Sequence, residues 1–204
     1  MLTTMWRQAA TGLRLLLVFT VLCGIGYPLL VWGVAHIPGL AGKAEGSVVA
    51  SADGTSAGSS LIGVDPVAAN PADPYFHTRP SASSDDVLGP ADTSTSGGSN
   101  KGAFDAGLLD TVNQRRALIA GREGVDPALV PPDAVTASAS GLDPDISPEY
   151  AALQVARVAR VTGLSTDAVR GLVADASSGR VLGFLGEPTV NVTELNLAVQ
   201  AAMR

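Results

Sequence analysis

Residues Leu15 to Gly42 read LLLVFTVLCGIGYPLLVWGVAHIPGLAG and carry no formally charged side chain. At about 1.5 Å of rise per residue, a helix of about 20 residues crosses a hydrocarbon core roughly 30 Å thick. The stretch from Leu13 to Val34 is long enough on its own. Arg7 and Arg14 stand on its N-terminal side, and no acid occurs before Glu45. Basic flanks stay in the cytoplasm. The expectation is therefore a cytoplasmic N-terminus over 1–12, a single membrane helix over 13–36, and a chain that lies outside the cytoplasmic membrane after Lys43. Trp6 and Trp32 fall near the two ends of the span, where indoles favour the interface, and Pro28 predicts a kink. A cleaved signal peptide competes with this reading, with small residues at Gly33 and Ala35 or Gly42 and Ala44 for a peptidase. Its apolar region would run about 7–15 residues, shorter than the stretch here, so an uncleaved anchor is the better account.

The formal charge of −6 is unevenly placed: from Ala44 onward there are 19 acids against 10 Lys or Arg. An acidic exported part excludes nucleic acid as a partner and disfavours docking on anionic lipid. Cys23, the one cysteine, sits in the apolar span, so no disulfide can form within one chain. Of the two histidines, His36 lies at the membrane edge and His77 in the domain, and no Cys/His zinc spacing occurs.

Outward from the span, 37–60 reads as a linker with a weak strand at Gly46–Ala50, and 61–204 as one small extracytoplasmic α+β domain. Ser60–Val64 predicts a strand. Asn70-Pro71, Asp73-Pro74 and Tyr75-Phe-His-Thr-Arg-Pro80 make a proline-punctuated loop whose rings should pack on a surface, its own or a partner's. Ser81 to Gly102 is a long Ser/Gly/Asp loop, which in a compact domain is functional or mobile. Leu108, Leu109, Val112 and Ile119 predict a helix over 105–120 closed by Gly121. Ala134–Ser138 suggests a strand. Ser147-Pro148 starts a helix to Val161 with Ala151, Val155, Val158, Ala159 and Thr162 on one face. Ser165 caps another helix, burying Val169, Leu172 and Val173. Arg180–Leu185 predicts a strand. Asn191-Val-Thr-Glu194 is a capping box before a last helix that buries Leu195, Ala198, Val199 and Ala202. Mixed elements without a repeated βαβ unit point to α+β.

Taken residue by residue, no motif fixes a chemistry. Gly97-Gly98-Ser99-Asn100-Lys101 lacks the glycine spacing of a phosphate-binding loop, and no serine has a nucleophile-elbow context. Asp143 and Asp145 lack the spacing of a cation loop, and turn chemistry explains them better. Asn191-Val-Thr193 fits a glycosylation sequon, but helix capping accounts for the same residues. Gln154 reads as a surface residue rather than a ligand. His77 as the base of an exported hydrolase, and a stand-alone anchored binding protein, are the alternatives from other functional classes.

The loops taken together resemble one family, the C subunit of the Kdp potassium-transporting P-type ATPase. The residues that carry the likeness are Gly58–Gly63, Tyr75-Phe-His-Thr-Arg-Pro-Ser-Ala82, Ser96-Gly-Gly-Ser-Asn100, Val135–Ser147, Gln154-Val-Ala-Arg-Val158, and Leu182–Val192 with Leu195-Asn196. They follow a single N-terminal span in the family's order. Lys101-Gly-Ala-Phe-Asp105 replaces the family's usual Leu-Gly-Pro-Thr-Asn, and Ala139 stands where glycine is typical. The resemblance implies a non-catalytic accessory subunit that binds no cofactor itself, with ATP and Mg used by a partner. Those partners would be a channel-like potassium-selective subunit, an ATP-hydrolysing P-type subunit and a small single-span subunit. It also implies a catalytic chaperone that raises the pump's ATP affinity, a role linked to Gln154 and to Ser96, Gly97 and Gly98. The topology read from charge separates an exported domain from cytosolic nucleotide. Tyr75, Phe76, Arg79, Asp143 and Asp145 are the expected partner contacts.

Overall fold

The computed structural model describes residues 1–66, 72–89 and 91–204. The Asn70-Pro71 turn expected from sequence lies outside the described residues. The chain divides into two compact units, Met1–Ser47 and Val48–Arg204.

The first unit is dominated by one helix, Leu2–Ala35, 34 residues long with a mean hydropathy of 2.2 across its most apolar stretch. It comprises α1 (Leu2–Val21), a π-helical turn at Leu22–Gly26, and α2 (Tyr27–Ala35). The predicted span of 13–36 lies within it except for His36, and the helix starts earlier, at Leu2, because no proline interrupts residues 2–12. The break expected at Pro28 takes the form of the π turn. There the Tyr27 N–H reaches back to the Leu22 carbonyl, one residue further than in an α-helix. No residue of the helix is buried within the chain. A short α3 (Ala41–Ala44) follows.

The second unit opens with an antiparallel hairpin, β1 (Val48–Ala50) and β2 (Ser56–Ser59), pairing Val48 with Ser59. The compact domain thus begins at Val48, and the hairpin belongs to it rather than to a linker. The strand expected at Ser60–Val64 does not form. The Ser59 carbonyl and hydroxyl turn the chain by accepting from Ile62 and Leu61, and the Gly63 N–H bonds the Leu142 carbonyl 2.8 Å away. A Cβ on Gly63 would run into the Asp143 carbonyl oxygen, so glycine is required there.

Helix α4 (Ala106–Glu123) is capped by Asp105, whose side chain accepts from the Leu108 N–H, and it ends at Gly124 with φ 70°. The stop expected at Gly121 is passed: Gly121 keeps helical geometry, and the left-handed residue that releases the chain is Gly124. The strand expected over 134–138 is instead the helical turn α5 (Pro132–Val135), because Pro132 sits at a helix start and the Thr136 hydroxyl folds back on the Pro132 carbonyl. Then come β3 (Asp145–Ile146), α6 (Pro148–Thr162), α7 (Thr166–Asp175), β4 (Ser177–Ser178), β5 (Thr189–Asn191) and α8 (Val192–Ala202). Ser147, Ser165 and Asn191 cap the three helices as expected. Only half of the predicted capping box forms: Asn191 accepts from Glu194, while its own N–H bonds the Ala176 carbonyl. Arg180–Leu185 is a tight turn rather than a strand, bridged from Val181 to Leu185, with Leu182 at φ 55° and Gly183 at φ 80°.

Strands β3, β5 and β4 form an antiparallel sheet in that order. The α+β class holds. The core gathers Phe76, Ile119, Ile146, Tyr150, Val155, Val158, Val169, Val190, Leu195 and Val199. Ala202, expected inside, faces out because α8 ends there.

Candidate functional site

The Tyr75–Pro80 segment is held by two carboxamides from neighbouring helices. Asn196 of α8 accepts from the Phe76 N–H and donates to the Phe76 carbonyl, both at 2.8 Å. Gln154 of α6 accepts from the His77 N–H at 2.8 Å and donates to the His77 carbonyl at 3.2 Å. Each amide acts as a one-residue piece of strand, satisfying main-chain groups that no sheet reaches. Gln154 is wholly buried. The surface position expected for it is therefore wrong, because the main chain of a loop, not solvent, lies against its part of α6.

Below this clamp lies a buried ionic network. His77 Nδ1 bonds Asp65 at 2.8 Å and Nε2 bonds Asp73 at 2.6 Å. Arg157 Nη1 reaches Asp73 at 3.1 Å, its Nε reaches Glu123 at 3.0 Å, and its Nη2 donates to Gln154 at 3.0 Å. Arg122 binds Glu123 at 2.7 Å and the Tyr150 hydroxyl at 3.0 Å. Burial opposes a charged imidazole, yet the hydrogen bonds to Asp65 and Asp73 outweigh it and lift His77 above the ordinary histidine range. Burial likewise pushes Asp73 up, but His77 and Arg157 together hold it below the usual carboxylate value. With His77 protonated, three carboxylates face two guanidiniums and an imidazolium, so the charges balance. A general base needs a free ring nitrogen within reach of a nucleophile. Both nitrogens of His77 are bonded to carboxylates, so the hydrolase reading loses its base.

A second cluster joins two glycine-bearing loops. The Gly97 N–H donates to the Ser140 carbonyl at 2.8 Å, and the Ser96 hydroxyl donates to the same oxygen at 3.0 Å. A Cβ on Gly98 would lie 2.9 Å from the Ala139 carbonyl oxygen, and one on Gly141 (φ 73°) 2.8 Å from the Gly97 carbonyl oxygen. These glycines serve backbone-to-backbone approach. Ser96 and Gly97 are exposed, and Gln154 has no exposed surface to share with them. Arg79 pairs with Asp143 at 3.1 Å and donates to the Thr136 and Ala137 carbonyls. Asp143 also accepts from the Asp145 N–H, the turn chemistry expected of it. Burial and the Asp143 charge raise the Asp145 carboxyl. Tyr75 is half-buried beside a cavity of about 180 Å³ lined also by Ala57, Val64, Thr193 and Leu197. Phe76 is wholly in the core, so it offers a partner no surface.

Residues 9–201 match the family model described as KdpC, the c chain of K+-transporting ATPase. The chain belongs to the KdpC family. Its relatives include the potassium-transporting ATPase KdpC subunits of Kineococcus radiotolerans, Streptomyces coelicolor and Rhodopseudomonas palustris BisB5. The first is 50% identical over 201 residues, covering 98% of this chain and 97% of the relative. The others are 45% and 43% identical, and the matches cover 97% and 98% of this chain and 94% and 100% of those relatives. Sequence reading of this KdpC chain singled out Gln154 but missed Asp73, Glu123, Arg157 and Asn196. One signal was available. Gln154 and Arg157 interrupt the apolar stripe of α6 between Ala151 and Val158, where a polar side chain must find buried partners.

Proposed function

We propose that this chain is the non-catalytic accessory subunit of a Kdp potassium-transporting ATPase. Its N-terminus would be cytoplasmic, its helix would brace the membrane complex, and its domain would dock outside over the mouth of the channel-like subunit. ATP and Mg would be used by the P-type subunit, and a small single-span subunit would complete the assembly. The observation that carries the reading is the family match across 9–201, which takes in the apolar helix and the domain together. The charge asymmetry about the span supports the orientation. An apolar tip on the domain, with Leu182 80% and Phe184 67% exposed, supports a covered surface in the assembly. Because Gln154 is enclosed by His77 and Arg157, its influence on ATP affinity would be indirect, through the loop it clamps and a conformational equilibrium of the complex. Purification of the tagged chain in mild detergent, with mass spectrometry of what accompanies it, tests the proposal. Recovery of a channel-like subunit and a P-type ATPase is expected. Recovery of the chain alone would return a stand-alone binding protein.

A further inference from the structure

The membrane helix carries a polar break in its apolar length. Pro28 has no N–H, so the carbonyl it would have bonded, Gly24 in α register or Cys23 in the π register of the turn at 22–26, receives nothing from position 28. Thr20 lies on the same side: the position of a Cβ on Gly24 is 3.9 Å from the Thr20 methyl. Among the described residues the Thr20 hydroxyl makes no hydrogen bond, although Thr11 in the same helix donates back to Arg7. Counted from Leu15, Thr20 and Gly24 stand about 7.5 and about 13.5 Å along the helix, inside a hydrocarbon core roughly 30 Å thick. Water is excluded at that depth and lipid tails neither donate nor accept, so protein must satisfy these groups. The missing side chain at Gly24 opens the backbone to close approach.

We infer that Thr20, Gly24 and the freed carbonyl before Pro28 form a notch that receives a polar side chain, Asn, Gln or Ser, from a transmembrane helix of another subunit. Such a side chain donates to the carbonyl and accepts from the Thr20 hydroxyl. A second copy of this chain fits poorly. In a symmetric pair of like orientation Thr20 meets Thr20 at one depth, and the freed carbonyls, about 6 Å further along, meet acceptor to acceptor. The inference rests on the proposed assembly, and its test separates the two.

The tagged full chain is purified in mild detergent as wild type and as Gly24→Leu, Thr20→Val and Leu22→Phe, after alkaline extraction confirms that each variant remains in the membrane. Gly24→Leu fills the notch, Thr20→Val removes the hydroxyl at constant shape, and Leu22→Phe adds bulk on the far side of the helix. Recovery of the channel-like subunit should fall about tenfold for Gly24→Leu and about threefold for Thr20→Val, and stay unchanged for Leu22→Phe. Wild-type recovery by both notch variants would overturn the notch while leaving the assembly intact. A wild-type chain that emerges alone, or as a self-pair broken by Gly24→Leu, would overturn the notch's occupant and, in the first case, the assembly as well.

Discussion

Gln154→Leu removes a carboxamide while keeping its volume, and the structure sets what that costs. Three partners lose a bond: the His77 N–H, the His77 carbonyl and Arg157 Nη2. A buried polar group left unsatisfied costs about 1–3 kcal/mol. Simple addition overstates the total, since the variant also removes the burden of burying the Gln154 amide itself, and Arg157 keeps its bonds to Glu123, Asp73 and the Tyr75 carbonyl. The expected loss is about 2–4 kcal/mol. For a domain of this size, each kcal/mol moves the melting temperature by about 2–4 °C, so the midpoint should drop by about 4–16 °C. Thermal and denaturant unfolding of the detergent-solubilised full chain measures it, with Arg170→Ala as an exposed control. Among the described residues Arg170 pairs only with exposed Asp167, and its loss should change stability by less than about 0.5 kcal/mol. A Gln154→Leu change as small as that control would refute the clamp.

Three further outcomes follow from the same geometry. Arg157→Met leaves Glu123 with Arg122 alone and weakens the hold on Asp73, and should destabilise by about 3–5 kcal/mol in the same unfolding assay. His77 gains stability from a raised folded pKa, so its contribution is complete below the unfolded value near 6.5 and is lost as pH rises through the folded one; Asp73 acts in the opposite sense and is lost as pH falls below about 3.8. Unfolding midpoints taken from pH 6 to 10 should therefore decline in wild type and flatten in His77→Phe. Gly98→Ala presses a methyl against the Ala139 carbonyl and should cost about 1–3 kcal/mol and speed proteolysis within 81–102, whereas Gly97→Ala, whose Cβ meets nothing, should leave cleavage closer to wild type.

Helices of this chain were legible wherever a cap and an apolar period agreed. Ser147, Ser165 and Asn191 announce α6, α7 and α8, and the uncharged run from Leu15 announces the long apolar N-terminal helix. Strands were not. Val181, Leu182, Phe184 and Leu185 have strand composition, but Gly183 and Gly186 at positive φ bend them into an exposed turn, and the true strand Thr189–Asn191 is three residues long. Ala134–Ser138 failed for the opposite reason: Pro131-Pro132 starts a helical turn that local propensity did not reveal. The buried network was the least readable part. Asp65, Asp73 and His77 are near one another in sequence, but Glu123 and Arg157 come from α4 and α6, and the five meet only through tertiary packing. Polar residues at 154 and 157 on an otherwise apolar face were its one local trace.

The orientation of the domain is tested most directly by labelling intact cells with a membrane-impermeant maleimide. In a Cys23→Ser background, a single cysteine replaces exposed Arg170. Labelling in intact cells to the same extent as after lysis is expected. Labelling that appears only after lysis would place the domain in the cytoplasm with the nucleotide, and would contradict it.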